Sequence, residues 1–264
     1  MSDHRFGQRH FSTRDRLRVL MRGIDRLARE TATPIAPALP LLGDEPTQDH
    51  PLCFAVFGEI NTGKSSLLNA LVGHPLCPVS ELPRPIQPIC HYRHGAQSDS
   101  DDNGIQQCRR PLEILRSLEV IDTPGIRAES AGPPAALLPL LDRCELIICL
   151  LPITNPWSAL TWDFLVALPA ALLAKTVLVI QQSDRVKAID LEVMIGHVLD
   201  LAGKKLNQVP PVFAVSAKLA IERGSQDQES GLPKFRAHVE SRIEALAERR
   251  AMLDAWLRDC ARGL

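Results

Sequence analysis

The sequence predicts an α/β domain, a mostly parallel β-sheet with helices on both faces, flanked by a helix near each end of the chain. Three observations predict it. Apolar strand-like runs alternate with segments of helical periodicity from Leu52 onward. A glycine-rich stretch from Gly58 to Ser66, GEINTGKSS, joins the first such run to the first such helix and fits the phosphate-binding pattern G-x-x-x-x-G-K-[ST]. The further polar motifs also fall at the carboxyl ends of apolar runs, where open α/β sheets bind ligands.

Thr13 to Glu30 carries Leu17, Leu20, Met21, Ile24 and Leu27 at helical spacing, with Arg14, Arg18, Arg22, Arg26 and Arg29 on the other face. Such a helix packs its apolar stripe on a domain and solvates its charges, and contact with anionic lipid is the alternative. Pro34, Pro37, Pro40, Pro46 and Pro51 then make an extended connector. LCFAVF, from Leu52 to Phe57, reads as a buried strand, and Ser66 to Gly73 as the helix after the loop. The loop aims backbone N–H groups and a helix N-terminus at one point, where phosphate binds. Gly63 has no side chain to hold a phosphate away, Lys64 neutralises terminal phosphates, and Ser65 ligates Mg²⁺.

His74 to Pro88 holds Pro75, Pro78, Pro83, Pro85 and Pro88, which exclude a regular helix or a central strand and leave a loop beside the nucleotide. Ile89 to His94 reads as an edge strand, and Ser98 to Gly104 as an exposed acidic turn without the ligand spacing of a calcium loop. LEVIDTPG, Leu118 to Gly125, is a strand that delivers Asp122 to its carboxyl end, where a carboxylate holds Mg²⁺; the glycine N–H after it senses a terminal phosphate. Ala131 to Arg143 begins proline-rich and ends helical. Cys144 to Pro152 is a buried strand, followed by a helix from Pro156 to about Leu168 with Trp157, Leu160, Phe164 and Leu165 on one face. The strand Thr176 to Gln181 ends in Gln182-Ser183-Asp184. A helix from Lys187 to about Leu201 and the strand Pro211 to Ser216 lead to Ser216-Ala217-Lys218, and a long helix runs from Leu232 to about Arg262. The expected divisions are 1–51 (amphipathic helix and proline-rich connector), 52–231 (nucleotide-binding domain) and 232–264 (C-terminal helix).

The 264 residues suffice for one large domain with extensions, and a net charge of −1 gives no general case for nucleic acid or membrane. The cysteines Cys53, Cys77, Cys90, Cys108, Cys144, Cys149 and Cys260 form no C-x-x-C pair and read as reduced core residues of a cytosolic protein, with a structural zinc site the minor alternative. His91, His94 and His197 are scattered and read as surface or strand-end residues rather than metal ligands.

The phosphate loop, Asp122-Thr123-Pro124-Gly125, an element ending in Asp184, and Ser216-Ala217-Lys218 occur in an order that resembles the motif set of the translation-factor-related GTPases. Within that class the chain most resembles bacterial dynamin-like GTPases, through GEINTGKSSLLNALVG, the proline-rich segment after it, and PITNPWSALTWDFL. The resemblance covers about Leu52 to Lys218. It implies a P-loop G domain, with the flanking helices of the two chain ends packed together, that binds GTP and GDP through Gly58, Asn61, Thr62, Gly63, Lys64, Ser65, Ser66, Gly125, Gln182, Asp184, Ser216, Ala217 and Lys218. Asp184 would accept hydrogen bonds from guanine, Ser65 and Asp122 would hold Mg²⁺, and Lys64 would stabilise charge developing on the γ-phosphate.

The departures from the family are specific. The first-switch threonine is absent: LPRPIQP offers Arg84 and Pro85, and Ser80 is the only aliphatic hydroxyl between Gly73 and Gly95. Arg84 is the residue expected to supply phosphate-directed charge in its place. The Gln-Ser of eukaryotic dynamins is Ile60-Asn61, and the usual Asn/Thr-Lys-x-Asp is Gln181-Gln182-Ser183-Asp184. The segment after Lys218 is too short for both a stalk and a lipid-binding tip. The expected activity is Mg²⁺-dependent GTP hydrolysis by a minimal dynamin-like G domain, slow or dependent on dimerisation across the nucleotide face, with Lys64, Ser65, Asp122 and Arg84 as catalytic groups. The alternative is a hydrolysis-deficient GTP-sensing module that docks a partner. Expected partners are a second copy and a larger dynamin-like or membrane-associated protein, with no nucleic acid. The expected location is cytoplasmic, with peripheral membrane attachment as an option.

Overall fold

The computed structural model describes residues 51–79, 88–102, 104–116, 118–126 and 137–242. Leu52–His238 forms one unit, built around a single sheet. The expected N-terminal helix, the first-switch segment around Arg84, the segment before Leu137 and the last helix beyond residue 242 lie outside the described residues, and so does the expected packing of the two terminal helices.

Among the described residues the sheet has eight strands. They are β1 (Leu52–Gly58), β2 (Ile89–His94), β3 (Ser98–Asp102), β4 (Ile105–Arg110), β5 (Leu118–Asp122), β6 (Leu146–Pro152), β7 (Thr176–Gln181) and β8 (Val212–Val215), in the order β3-β4-β2-β5-β1-β6-β7-β8. The helices are α1 (Lys64–Val72), α2 (Leu138–Arg143), α3 (Ala159–Val166), α4 (Ala170–Leu173), α5 (Ala188–Lys205) and α6 (Ala217–Arg223), and residues 232–242 are also helical.

β5, β1, β6, β7 and β8 are mutually parallel, and the central β1, β6 and β7 carry the near-continuous apolar runs of strands buried on both faces. The sheet is thus mostly parallel, as expected, with antiparallel pairs only at β2–β5 and β3–β4 among the described residues. β1 is buried along its whole length and lies between β5 and β6. The chain leaves β1 toward one side of the sheet and later returns to its other side, so the loop after β1 sits where the strand order reverses. Phe57 and Phe164 stack at 4.8 Å in the core beneath it.

Three expectations about single elements are corrected. The Ile89–His94 strand is not at the edge: β2 pairs antiparallel with β5 and parallel with β4. The acidic segment is not a turn but the exposed edge strand β3, paired antiparallel with β4, a strand that apolar periodicity does not reveal. An edge strand of Ser98-Asp99-Ser100-Asp101-Asp102 presents charge to solvent and so resists pairing with another chain, which is why its composition imitates a loop. The helix expected from Pro156 begins only at Ala159, and Trp157 is exposed while Trp162 is fully buried, its indole N–H donating to Pro156 O at 2.9 Å. Trp162 anchors the turn into α3 and takes the place expected of Trp157, while Phe164 and Leu165 are buried and Leu160 packs against the core as expected.

Candidate nucleotide site

The strand-to-loop-to-helix geometry follows from three backbone positions. Asn61 (φ 61°) and Gly63 (φ 84°) turn left-handed, and Lys64 opens α1 immediately after. Thr62 is buried, and its hydroxyl donates to Glu59 O at 2.9 Å, which ties the loop to itself. The Glu59 carboxylate in turn accepts from Thr161 Oγ1 of α3 at 2.7 Å. On the helix side, Gly73 caps α1 with its N–H on Asn69 O. The Asn69 amide then clamps Cys77 from both sides, at 2.8 Å and 2.7 Å, holding the start of the proline-rich segment against α1.

Lys64 is buried, and its ammonium donates to Gly58 O at 3.2 Å and Glu59 O at 2.8 Å. Burial pushes its pKa down to about 8, with the charges of Asp122 and Glu59 opposing the fall. Ser65 Oγ donates to Asp122 Oδ2 at 2.7 Å. Burial raises the Asp122 pKa, and the Ser65 hydrogen bond and the Lys64 charge work against that rise. A desolvated carboxylate touching an α1 hydroxyl is a donor set suited to a small hard cation, so both oxygens fit Mg²⁺.

The Asp122–Gly125 segment is pinned to the phosphate loop. Thr123 Oγ1 donates to Val56 O at 2.9 Å, Ile126 N donates to Gly58 O at 3.0 Å, and Glu59 bridges to Ile126. Gly125 lies so close to the loop that a Cβ there would stand 2.5 Å from Ile60 Cγ1 and 2.8 Å from Ile60 N.

Gln181, buried at the end of β7, was not among the expected site residues. Its amide Nε2 donates to Gly63 O at 3.4 Å, and its Oε1 accepts from Gln182 N at 2.9 Å and Ala217 N at 3.1 Å. One side chain thus joins the phosphate loop, the segment before Asp184 and the Ser216-Ala217-Lys218 turn. Gln182 turns left-handed (φ 68°), and its amide donates to Asn61 O at 3.2 Å. Asp184 and Lys218 are exposed at the same rim, and the buried Ser216 caps α6 by accepting from Leu219 N. Ser66 is half-buried on the first turn of α1. The signal for Gln181 was available: it is the first residue of the Gln-Gln-Ser-Asp element.

His91 is a correction. It is 4% exposed rather than superficial, and its Nε2 meets Glu119 Oε2 at 2.8 Å. His197 is exposed and contacts the Trp157 ring.

Residues 53–182 match the family model described as 50S ribosome-binding GTPase. Over 200 residues the chain is 26% identical to the probable transmembrane GTPase FZO-like, chloroplastic, of Arabidopsis thaliana, covering 72% of this chain and 22% of that protein. Over 89 residues it is 37% identical to GTPase Der of Prochlorococcus marinus (strain MIT 9313), covering 34% of this chain and 16% of the relative. The fold superposes on a solved bacterial dynamin, one of an oligomerised pair described as sensing and tethering membranes, with a TM-score of 0.66 at 19% identity, over 80% of this chain and 40% of that one. The chain therefore spans less than half the length of each of these relatives.

Proposed function

We infer that this chain, whose residues 53–182 match a GTPase family model, binds GTP with Mg²⁺ and hydrolyses it to GDP and phosphate. The observation that carries the reading is the convergence of the phosphate loop, Asp122 and the Gln181–Asp184 element through direct hydrogen bonds. Gly58, Asn61, Thr62, Gly63 and Ser66 would supply the phosphate cradle, and Lys64 would leave the Gly58 and Glu59 carbonyls to meet the β- and γ-phosphates. Ser65 and Asp122 would hold Mg²⁺, which neutralises charge on the phosphates. Asp184 would accept from guanine, with Gln182 beside the base and Ser216, Ala217 and Lys218 closing its other edge. In hydrolysis a water oxygen bonds to the γ-phosphorus as the bond to the β–γ bridging oxygen breaks; the chain contributes position and charge.

The finer reading is a dynamin-like G domain whose turnover is slow or requires a second copy across the nucleotide face, with Arg84 as the phosphate-directed cation. A larger dynamin-like or membrane-associated protein is the proposed partner, at a cytoplasmic membrane surface. No helix among the described residues is long and apolar enough to cross a membrane. The exposed Asp99, Asp101 and Asp102 of β3 oppose nucleic-acid binding at that edge. A GTP-sensing module with little hydrolysis is the second reading, favoured by the missing switch threonine and by Gln182 in place of the lysine that covers the base.

Calorimetric titration with a non-hydrolysable GTP analogue, GDP and the matching ATP analogue, with Mg²⁺, tests binding. Guanine-selective binding is expected, and equal or absent binding overturns it. Phosphate release that rises with protein concentration separates enzyme from sensor. Unchanged turnover and affinity in Arg84→Ala would remove Arg84 from the mechanism.

A further inference from the structure

On the sheet face opposite the Ser65–Asp122 pair, three neighbouring strands bring metal-binding side chains together. Cys53 of β1 and Glu119 of β5 are register partners, and His91 lies on β2, the next strand over. Residues alternate faces along a strand, so Glu119 points away from the side that Asp122 takes three residues later. Cys53 Sγ, the His91 ring nitrogen and a Glu119 oxygen lie within 4.8 Å of one another, and all three residues are buried. A further thiol stands beside Cys53: Cys144, 1% exposed, has its Sγ 3.4 Å from Cys53 Sγ. Tetrahedral zinc with bonds of about 2.0–2.3 Å holds its ligand atoms roughly 3.3–3.8 Å apart, against the 4.8 Å within which the Cys53, His91 and Glu119 atoms lie and the 3.4 Å between the two sulfurs.

We propose that Cys53, Cys144, His91 and Glu119 form a buried structural zinc site beneath the nucleotide-binding sheet. The charges support it. Two thiolates and the Glu119 carboxylate balance the zinc ion and the Arg93 guanidinium, whose Nε lies 2.9 Å from Glu119 Oε1, while the half-buried Glu145 carboxylate accepts the Cys53 backbone N–H at 2.7 Å. Without metal, burial would by itself lower the His91 pKa, but hydrogen bonds to Cys53 and Glu119 outweigh it and raise the value. Hydrogen bonding to Cys144 and burial raise that of Cys53. Thiols bind zinc as thiolates, so zinc binding releases protons and affinity falls with falling pH. The donors are scattered over β1, β2, β5 and the entry to β6, so no C-x-x-C pair announces them. The cluster lies about 17 Å along β1 from Gly58, at roughly 3.3 Å per residue, and is distinct from the Mg²⁺ site.

The test uses the full chain expressed with zinc and then loaded with Co²⁺. Equimolar zinc after gel filtration, and a cobalt spectrum with thiolate charge-transfer bands and intense tetrahedral d–d bands, are expected. Both should be lost in Cys53→Ser and Cys144→Ser proteins that keep native circular dichroism, and kept in Cys90→Ser. If the cysteine variants fail to fold, His91→Gln and Glu119→Gln provide the same comparison. A folded protein without zinc or thiolate–cobalt bands overturns the proposal. So does a cobalt spectrum unchanged in Cys53→Ser.

Discussion

Gln181 Oε1 accepts the Ala217 N–H at 3.1 Å, while the same amide donates to Gly63 O at 3.4 Å. The base-binding rim and the phosphate cradle are thus connected through one buried side chain rather than through backbone alone. An unpaired buried N–H costs about 1–3 kcal/mol. Gln181→Ala should lower stability by that order and weaken GTP-analogue binding about tenfold or more, read by denaturant unfolding and calorimetry. Unchanged values for both would mean the bridge is incidental.

Lys64→Ala should weaken nucleotide binding by about a hundredfold, because a charged hydrogen bond to phosphate is worth up to about 3 kcal/mol. The pH dependence is also set. The Lys64 pKa of about 8 lies below the unfolded value of about 10.4, so between these values the unfolded chain holds a proton that the native one has lost. The Lys64 contribution to stability is therefore unfavourable in full below pH 8 and improves as pH rises through this window. Bound polyphosphate favours the ammonium, so nucleotide affinity should fall above pH 8. Calorimetry at pH 8 in buffers of different ionisation enthalpy should report proton uptake on binding.

Gly125→Ala would drive a Cβ into Ile60, with contacts of 2.5 Å to Cγ1 and 2.9 Å to Cα. Backbone has to move on one side, which costs about 1–3 kcal/mol. The expected result is a lower unfolding midpoint together with weaker GTP binding, since the loop that moves is the phosphate cradle. Wild-type affinity in this variant would mean that the loop and the Asp122–Gly125 segment move independently.

Asp184→Ala should abolish discrimination between GTP and ATP analogues while leaving the loss in affinity near about 1.5–3 kcal/mol, the worth of hydrogen bonds to a charged acceptor. Competition of each analogue against a fluorescent GDP derivative measures it. Retained guanine preference would transfer base reading to Gln182 or the Ser216–Lys218 turn.

The sequence by itself determined the elements whose physics is local. β1, β6 and β7 were legible because strands buried on both faces must be continuously apolar, and the loop between β1 and α1 because glycines and a lysine at fixed spacing have few other uses. Tertiary structure decided what depends on neighbours distant in sequence. β3 and β4 escaped because an exposed, charged edge strand lacks an apolar period, and Trp162 rather than Trp157 anchors α3 because its indole finds Pro156 O. Gln181, a polar residue closing an apolar strand, owes its role to carbonyl and amide groups supplied from Gly63 and Ala217. His91 and Glu119 were unreadable for the same reason: a buried ionisable pair is possible only where strand register brings each partner within reach of the other, and register is a property of the sheet.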